Sequence, residues 1–292
     1  MNLLQVFQRF PDHEACLEHL EGIRWGDEPS CPYCGAIDVA RKDELSRLGR
    51  WNCHACKSSF NVLAGTIFQK TKLPLQKWFL AIALILNAKK SLSSWQLGRD
   101  LDMNQKSAWF LAIRLRRAMV GKDGDLLRGI VEADECYVGG KPRKGNRRDD
   151  DKPSKRGRGT DKMPVVGIVE RGGKVVAEPA TRVNSKALMA FIKRAVDLPA
   201  SLLITDEFAA YRVMSGRMRH AVIKHADRYV DGIVHTNTME GFWSLLKRAW
   251  YGSHHHYSRR HAPLYVAEAC YKYNIRNDAN PFGDFLRLAF AA

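Results

Sequence analysis

From Gly129 onward the apolar period changes from helical to alternating. Three strand-like runs are followed by a helix, a strand, a helix, a strand and a helix. That order predicts an α/β domain of the RNase H-like class, with a mixed five-stranded sheet covered by helices. Two further observations extend the prediction upstream. The paired cysteines Cys31-Pro-Tyr-Cys34 and Cys53-His-Ala-Cys56 predict a zinc ribbon, and a short helix, a turn and a basic helix predict a helix-turn-helix. The expected organisation is an N-terminal helix and ribbon over 1–68, a helix-turn-helix domain over 69–125 and the α/β domain over 126–292.

The individual segments support this order. Residues 12–25 begin with a capping Asp and carry helical apolar spacing, and Gly65-Thr66 reads as a turn after the ribbon. Pro74 opens a helix whose buried body is Leu75–Leu86. Ser91–Ser94 offers caps for a short helix, Trp95–Leu101. Asp102-Met103-Asn104 turns the chain into a third helix, Gln105–Met119, carrying Arg114, Arg116 and Arg117. The expected strands are 130–138, 165–169, 174–177, 201–205 and 221–223, and the expected helices are 185–196, 207–216 and 238–250. Gly172-Gly173 supplies a hairpin turn. Residues 141–163 hold ten Lys or Arg against four Asp, with Gly and Pro interspersed, so they cannot build a core and read as a surface loop.

Composition narrows the class of partner. The 292-residue chain has a formal net charge of +16 and a pI of about 9.7, which favours nucleic acid, while a membrane surface or a merely soluble basic protein also fits. The longest apolar run, Trp78–Leu86, is far short of the roughly 20 residues a spanning helix needs. No secretory signal is read at the N-terminus. Four of seven cysteines stand in CxxC pairs, which fits metal ligation in a reducing, cytoplasmic compartment; Cys16, Cys136 and Cys270 read as small buried residues.

The two CxxC pairs enclose 18 residues. Each pair offers two thiolates from one tight turn, and two such turns close a tetrahedron around Zn²⁺ with no open position. Cys31, Cys34, Cys53 and Cys56 are therefore expected to hold a structural zinc, with Gly35 relaxing the first turn and His54 needed for nothing.

Three spaced acids suggest the catalytic chemistry. Asp134 lies in the first strand, Asp206 ends the fourth, and Glu240 begins the following helix. Phosphodiester transfer needs an activated oxygen nucleophile, in-line geometry and neutralisation of transition-state charge. Two Mg²⁺ or Mn²⁺ ions held by carboxylates supply all three. Singly, each acid also reads as a strand-end or first-turn residue. Glu132 shares a strand face with Asp134 and is a rival ligand, whereas Glu135 and Glu207 read as structural or solvated. Trp243 and Trp250 read as core, and His254-His255-His256 as a structural or DNA-contacting segment.

These motifs resemble the bacterial insertion-sequence DDE transposases with an N-terminal zinc ribbon, a group related to the Merlin transposons. The likeness covers nearly the whole chain, from Ala15-Cys16 through Arg24-Trp25, Cys31-Pro-Tyr-Cys-Gly35 and Asp134-Glu-Cys-Tyr-Val-Gly-Gly140 to His235-Thr-Asn-Thr-Met-Glu-Gly-Phe-Trp243 with Leu246-Lys-Arg248, and on to Tyr273-Asn-Ile-Arg-Asn277. It implies that Asp134, Asp206 and Glu240 hold the catalytic ions, with Asn237 as a supporting residue. Some members of the group carry Asn in the third catalytic place, so Asn237 and Glu240 compete for that role. Lys247, two helical turns beyond Glu240, is implied at the transposon end, and His235 is a candidate for orienting a phosphate. The implied partners are transposon-end and target double-stranded DNA, bound by a homodimer or larger assembly at the nucleoid. A domesticated, catalytically inactive DNA-binding relative is the alternative, and it would be expected to lose an acid. A structure-specific RNase H-like nuclease is a further rival, disfavoured by the helix-turn-helix.

Overall fold

The structure is a computed structural model that describes residues 1–42, 49–121, 124–139, 160, 162–224, 230 and 232–291. They form two compact units, Met1–Met119 with Asp278–Ala292, and Val120–Asn277. Most of the basic 141–163 segment lies outside the described residues.

In the first unit, α1 (Leu3–Arg9) starts with a capping box between Asn2 and Gln5, and α2 (His13–Trp25) starts where Asp12 accepts the Ala15 N–H at 2.9 Å. Three short antiparallel strands follow: β1 (Val39–Lys42), β2 (Arg50–Cys53) and β3 (Ser59–Phe60). The apolar helix α3 (Leu75–Asn87) forms the centre of the unit. Phe79 on α3 packs edge-on against Phe10 at 4.8 Å and against Phe282 at 5.7 Å. Phe282 belongs to a C-terminal helix, Pro281–Ala291, whose Phe285 and Leu286 are also buried. Residues from Asp278 thus complete the first unit's core, although the sequence reading runs the α/β domain on to residue 292.

The helix-turn-helix is α4 (Ser94–Asp100) and α5 (Gln105–Ala118), capped by Ser93 and Asn104. Gly98 lets the two helices close: a Cβ there would lie 2.9 Å from the Met103 carbonyl oxygen. The basic face expected of α5 is only partly presented. Arg116 is 2% exposed, and Arg114 donates to the Gln69 carbonyl while lying over the Trp78 ring. Lys106, Phe110 and Arg117 are the exposed residues of this helix.

The second unit contains β4 (Leu127–Val138), β5 (Met163–Glu170), β6 (Val175–Pro179), α6 (Ser185–Ala195), β7 (Val196–Thr205), β8 (Arg219–Val222), α7 (Asn237–Ala249) and α8 (Ala262–Asn274). The sheet order is β6-β5-β4-β7-β8. The β6-β5-β4 edge is antiparallel, and β7 and β8 add in parallel through crossovers. This is the RNase H-like arrangement. On one face, Val131 and Ala133 of β4 and Ile168 of β5 pack against Leu188, Phe191 and Ile192 of α6. On the other face, α7 packs on β4 and β5, and α8 packs on β6.

Two elements differ in form from the expectation. Strand β7 starts at Val196, because Leu127 opposite it extends the ladder across a register shift. Residues Ala209–Met214 form a 3₁₀ helix, entered through the Asp206 carboxylate accepting the Phe208 N–H at 3.0 Å.

Candidate active site and zinc-ribbon cysteines

The four ribbon cysteines converge. Their sulfurs all lie within 4.8 Å of one another, with Cys31 Sγ 3.7 Å from Cys56 Sγ and Cys34 Sγ 3.6 Å from Cys53 Sγ. A tetrahedron of thiolates at about 2.3 Å from one Zn²⁺ has edges of about 3.8 Å, so the donor set fits. Each knuckle ends on a left-handed residue, Gly35 at φ +74° and Lys57 at φ +57°. Cys31 and Cys53 are buried against Phe60 and Ala64, with Trp25 and Trp51 alongside.

In the second unit, the parallel pairing of β4 and β7 runs as far as Glu132↔Ile204; Asp134 follows two residues on in β4, and Asp206 follows just after β7 ends at Thr205. The two carboxylates interact electrostatically. Burial pushes the Asp134 carboxyl up to about 7. The Glu135 charge adds to the rise, a backbone hydrogen bond at Glu135 opposes it, and Asp206 raises it further. The Trp243 indole N–H donates to Asp134 Oδ2 at 3.0 Å and favours the charged form. On the opposite face, buried Glu135 accepts from the Tyr211 hydroxyl at 3.2 Å. Burial, followed by the Glu135 charge, raises that phenol well above its ordinary range.

Helix α7 lies along β4 on the Asp134 face. Glu132 accepts from Thr238 and Met239 at the start of the helix, Asp134 accepts from Trp243, and Lys247 acts on Cys136 through its charge. Gly167, opposite Asp134 in the β4–β5 ladder, makes room: a Cβ there would meet Met239 Cε at 2.4 Å and the Trp243 ring at 2.7 Å. Asn237, Glu240, Lys247 and Arg248 are exposed on the outer side of α7. Lys247 also lines a cleft with Tyr137, Gly139, Lys162 and Tyr251.

The expected residues are thus set on three elements, without a shared contact among all of them in the described residues. Asp134 lies within β4, Asp206 just follows the adjacent strand β7, and Asn237 and Glu240 share the first turn of α7. Among the described residues, only the four cysteines form a group of three or more His, Cys, Asp or Glu with ligand atoms close enough for one ion. Glu132 is not placed as a ligand: it is fully buried and held by Arg171, Thr238 and Met239. Of the three consecutive histidines, His254 packs on Tyr265 at 4.6 Å and His256 on Trp250 at 5.8 Å, and His255 is exposed. Trp243 is core, as its helical spacing suggests, yet its indole N–H also orients Asp134. Only the 3.6-residue period pointed to it.

Residues 126–274 match the family described as the ISXO2-like transposase domain, and residues 11–59 match the transposase zinc-ribbon domain. The chain belongs to the ISXO2-like transposase family. A Halobacterium salinarum protein described as an uncharacterized protein in transposable element ISH50 is 32% identical to this transposase over 277 residues, covering 90% of this chain and 91% of that protein. Two solved structures are similar at 12% identity. The Mos1 strand transfer complex has a TM-score of 0.30 over 73% of this chain and 75% of that one. A pre-cleavage Mos1 transpososome has 0.28 over 70% and 76%. The family match makes this an insertion-sequence transposase with an N-terminal zinc ribbon, so the cysteine tetrahedron is its structural zinc site. No described helix is long and apolar enough to cross a membrane.

Proposed function

We propose that this transposase binds the terminal inverted repeats of its element and catalyses metal-dependent cleavage and strand transfer at Asp134, Asp206 and Glu240. The observation that supports the reading is that Asp134 of β4 and Asp206, just past the end of the neighbouring parallel strand β7, are near enough for the Asp206 charge to act on Asp134. Carboxylate oxygens are the hard donors that Mg²⁺ or Mn²⁺ prefers, so the residues fit the ions. When bound, two such ions activate the attacking oxygen and neutralise the leaving one.

The protein's own groups supply the rest. Trp243 fixes the rotation of the Asp134 carboxylate, and the Phe208 N–H fixes that of Asp206. Asn237 and Glu240 approach from the first turn of α7, with Glu240 as ligand and Asn237 as a hydrogen-bonding support. Lys247 and Arg248, exposed further along that helix, contact the phosphates of the transposon end. The freed 3′-hydroxyl then attacks target DNA, and no covalent protein–DNA link is required. The ribbon (1–68) and the helix-turn-helix (69–125) supply end recognition, with the exposed Lys106 face of α5 toward the major groove. The assembly is a homodimer or larger on paired ends, at the nucleoid in the cytoplasm.

The test is an excision and integration assay in cells with a marked plasmid carrying the gene's native flanks. Wild-type protein is expected to move the marker and Asp206→Ala to leave it in place while still binding the flanks. Movement by Asp206→Ala would refute the assignment.

A further inference from the structure

The first turn of α7 has no side-chain cap of its own: Thr236, in the N-cap position, makes no capping hydrogen bond. The Met239 N–H, third in the helix, instead donates to Glu132 Oε2 at 2.9 Å, and Thr238 Oγ1 donates to Glu132 Oε1 at 2.9 Å. The cap is thus supplied from strand β4, two residues before Asp134. A carboxylate suits this place, because the exposed N–H groups and the helix dipole both favour negative charge.

Glu132 is fully buried, and Arg171, at the turn after β5, places its Nε 2.6 Å away to compensate the charge. The same guanidinium reaches the segment leading into α7, donating from Nη2 to the His235 carbonyl at 2.9 Å and to His235 Nδ1 at 3.1 Å. The Asn237 N–H also points at Nδ1, at 3.4 Å. With two donors aimed at it, Nδ1 is the acceptor and the ring proton sits on Nε2. The 3.3 Å approach of Nδ1 to Glu132 is then a neighbour contact between two acceptors rather than an ion pair.

We propose that Glu132, braced by Arg171, is a positioning residue. It fixes the first turn of α7, and with it Asn237 and Glu240, at a set reach from Asp134 on the same strand. The inference rests on the reading of Asp134, Asp206 and Glu240 as the ion-holding set. It differs from a direct ligand role because the side chain is inaccessible to solvent and both its oxygens already accept hydrogen bonds.

The test uses the full zinc-loaded chain with Fe²⁺ in place of Mg²⁺. Ascorbate and peroxide generate radicals at the bound ion, and mass spectrometry maps where the backbone is cut. Wild type is expected to be cut near Asp134, Asp206 and Glu240. In Glu132→Gln the cuts near Asp134 and Asp206 should persist, while the cut near Glu240 falls by about 10- to 100-fold, the usual consequence of losing an outer support of a ligand. Thr238→Val, which removes one hydrogen bond and keeps the shape, should shift the pattern the same way by less, and it decides the matter if Glu132→Gln does not fold. Undiminished cutting near Glu240 in a folded variant would overturn the positioning role. Absence of cuts near Asp134 and Asp206 in wild type would instead overturn the ion-binding reading itself.

Discussion

Replacing Gly167 by Ala should be among the most damaging single-methyl changes in the second unit. The added Cβ would stand 2.4 Å from Met239 Cε and 2.7 Å from the Trp243 ring. Met239 can swing its terminal methyl aside. The indole cannot retreat without giving up its 3.0 Å bond to Asp134. Overpacking of this kind costs about 1–3 kcal/mol, and a hydrogen bond to a charged group contributes about 1.5–3 kcal/mol. Because either the ring or the sheet yields, a combined loss of about 2–4 kcal/mol follows. For a unit of this size that is a fall in Tm of roughly 5–15 °C by calorimetry. Trp243→Phe alone should cost about 1.5–3 kcal/mol, since it loses the N–H and part of a buried ring. The two changes share one ring, so the double variant should be less destabilised than the sum by about 1 kcal/mol or more. A Gly167→Ala melt within about 1 °C of wild type, or strict additivity in the cycle, would refute the packing of α7 over this glycine.

Three other outcomes follow from the same geometry. Cys34→Ser should lower zinc content, measured by atomic absorption, and loosen the ribbon without changing the second unit's melting. Gly98→Ala brings a Cβ to 2.9 Å from a backbone oxygen that cannot rotate away; the helix-turn-helix should lose about 1–3 kcal/mol and end binding should weaken in a mobility-shift assay. Acid should destabilise the first unit even with zinc in excess. Burial lowers the pKa of both His13 and His19, the Asp12 charge opposing it at His13 and the Arg9 and Arg287 charges adding to it at His19. The unfolded chain therefore takes up protons first. The stabilisation is complete above about pH 6.5 and is lost as pH falls through that value toward the folded pKa. His13→Gln keeps an acceptor for the Leu75 N–H, 3.2 Å from Nδ1 in the wild type, and should flatten the pH dependence of Tm.

Much of this architecture was legible because it rests on local signals. Thiolate spacing announces the ribbon, Asp12, Ser93 and Asn104 announce helix starts, and the change of period at Gly129 announces the sheet. Asp134 and Asp206 were readable because each is a charge where an apolar strand run would otherwise continue. What escaped is what depends on distant partners. Arg114 and Arg116 read as a basic face, but the direction a long side chain takes is decided by Gln69, Trp78 and the core around them. Glu132 read as a rival ligand because its face relative to Asp134 is fixed by the strand, whereas Arg171, 39 residues away, carries no local mark of its pairing with it. The C-terminal helix is apolar enough to predict burial, yet nothing in its own pattern says against which unit.

The placement of α7 on β4 has a metrical basis that links fold to site. Glu132 and Asp134 are two residues apart on the strand, and their hydrogen-bonding partners Met239 and Trp243 are four apart on the helix. Two strand residues advance about 6.6 Å and four helical residues about 6 Å, so a helix running beside its strand can meet it at every step. The mismatch of about 0.6 Å stays within side-chain reach over that step. Both elements then end, β4 at Val138 and α7 at the π-type turn beginning at Trp250. Met239 and Trp243 are committed to this seam, and Lys247, one turn further on, is exposed. Glu240, one position beyond Met239, is therefore turned outward beside the Glu132–Asp134 step, whatever the outer surface carries. A residue inserted between Met239 and Trp243 would rotate one of the two contacts out of the seam by about 100°, so either the Glu132 or the Asp134 hydrogen bond should be lost and the second unit should melt lower by calorimetry.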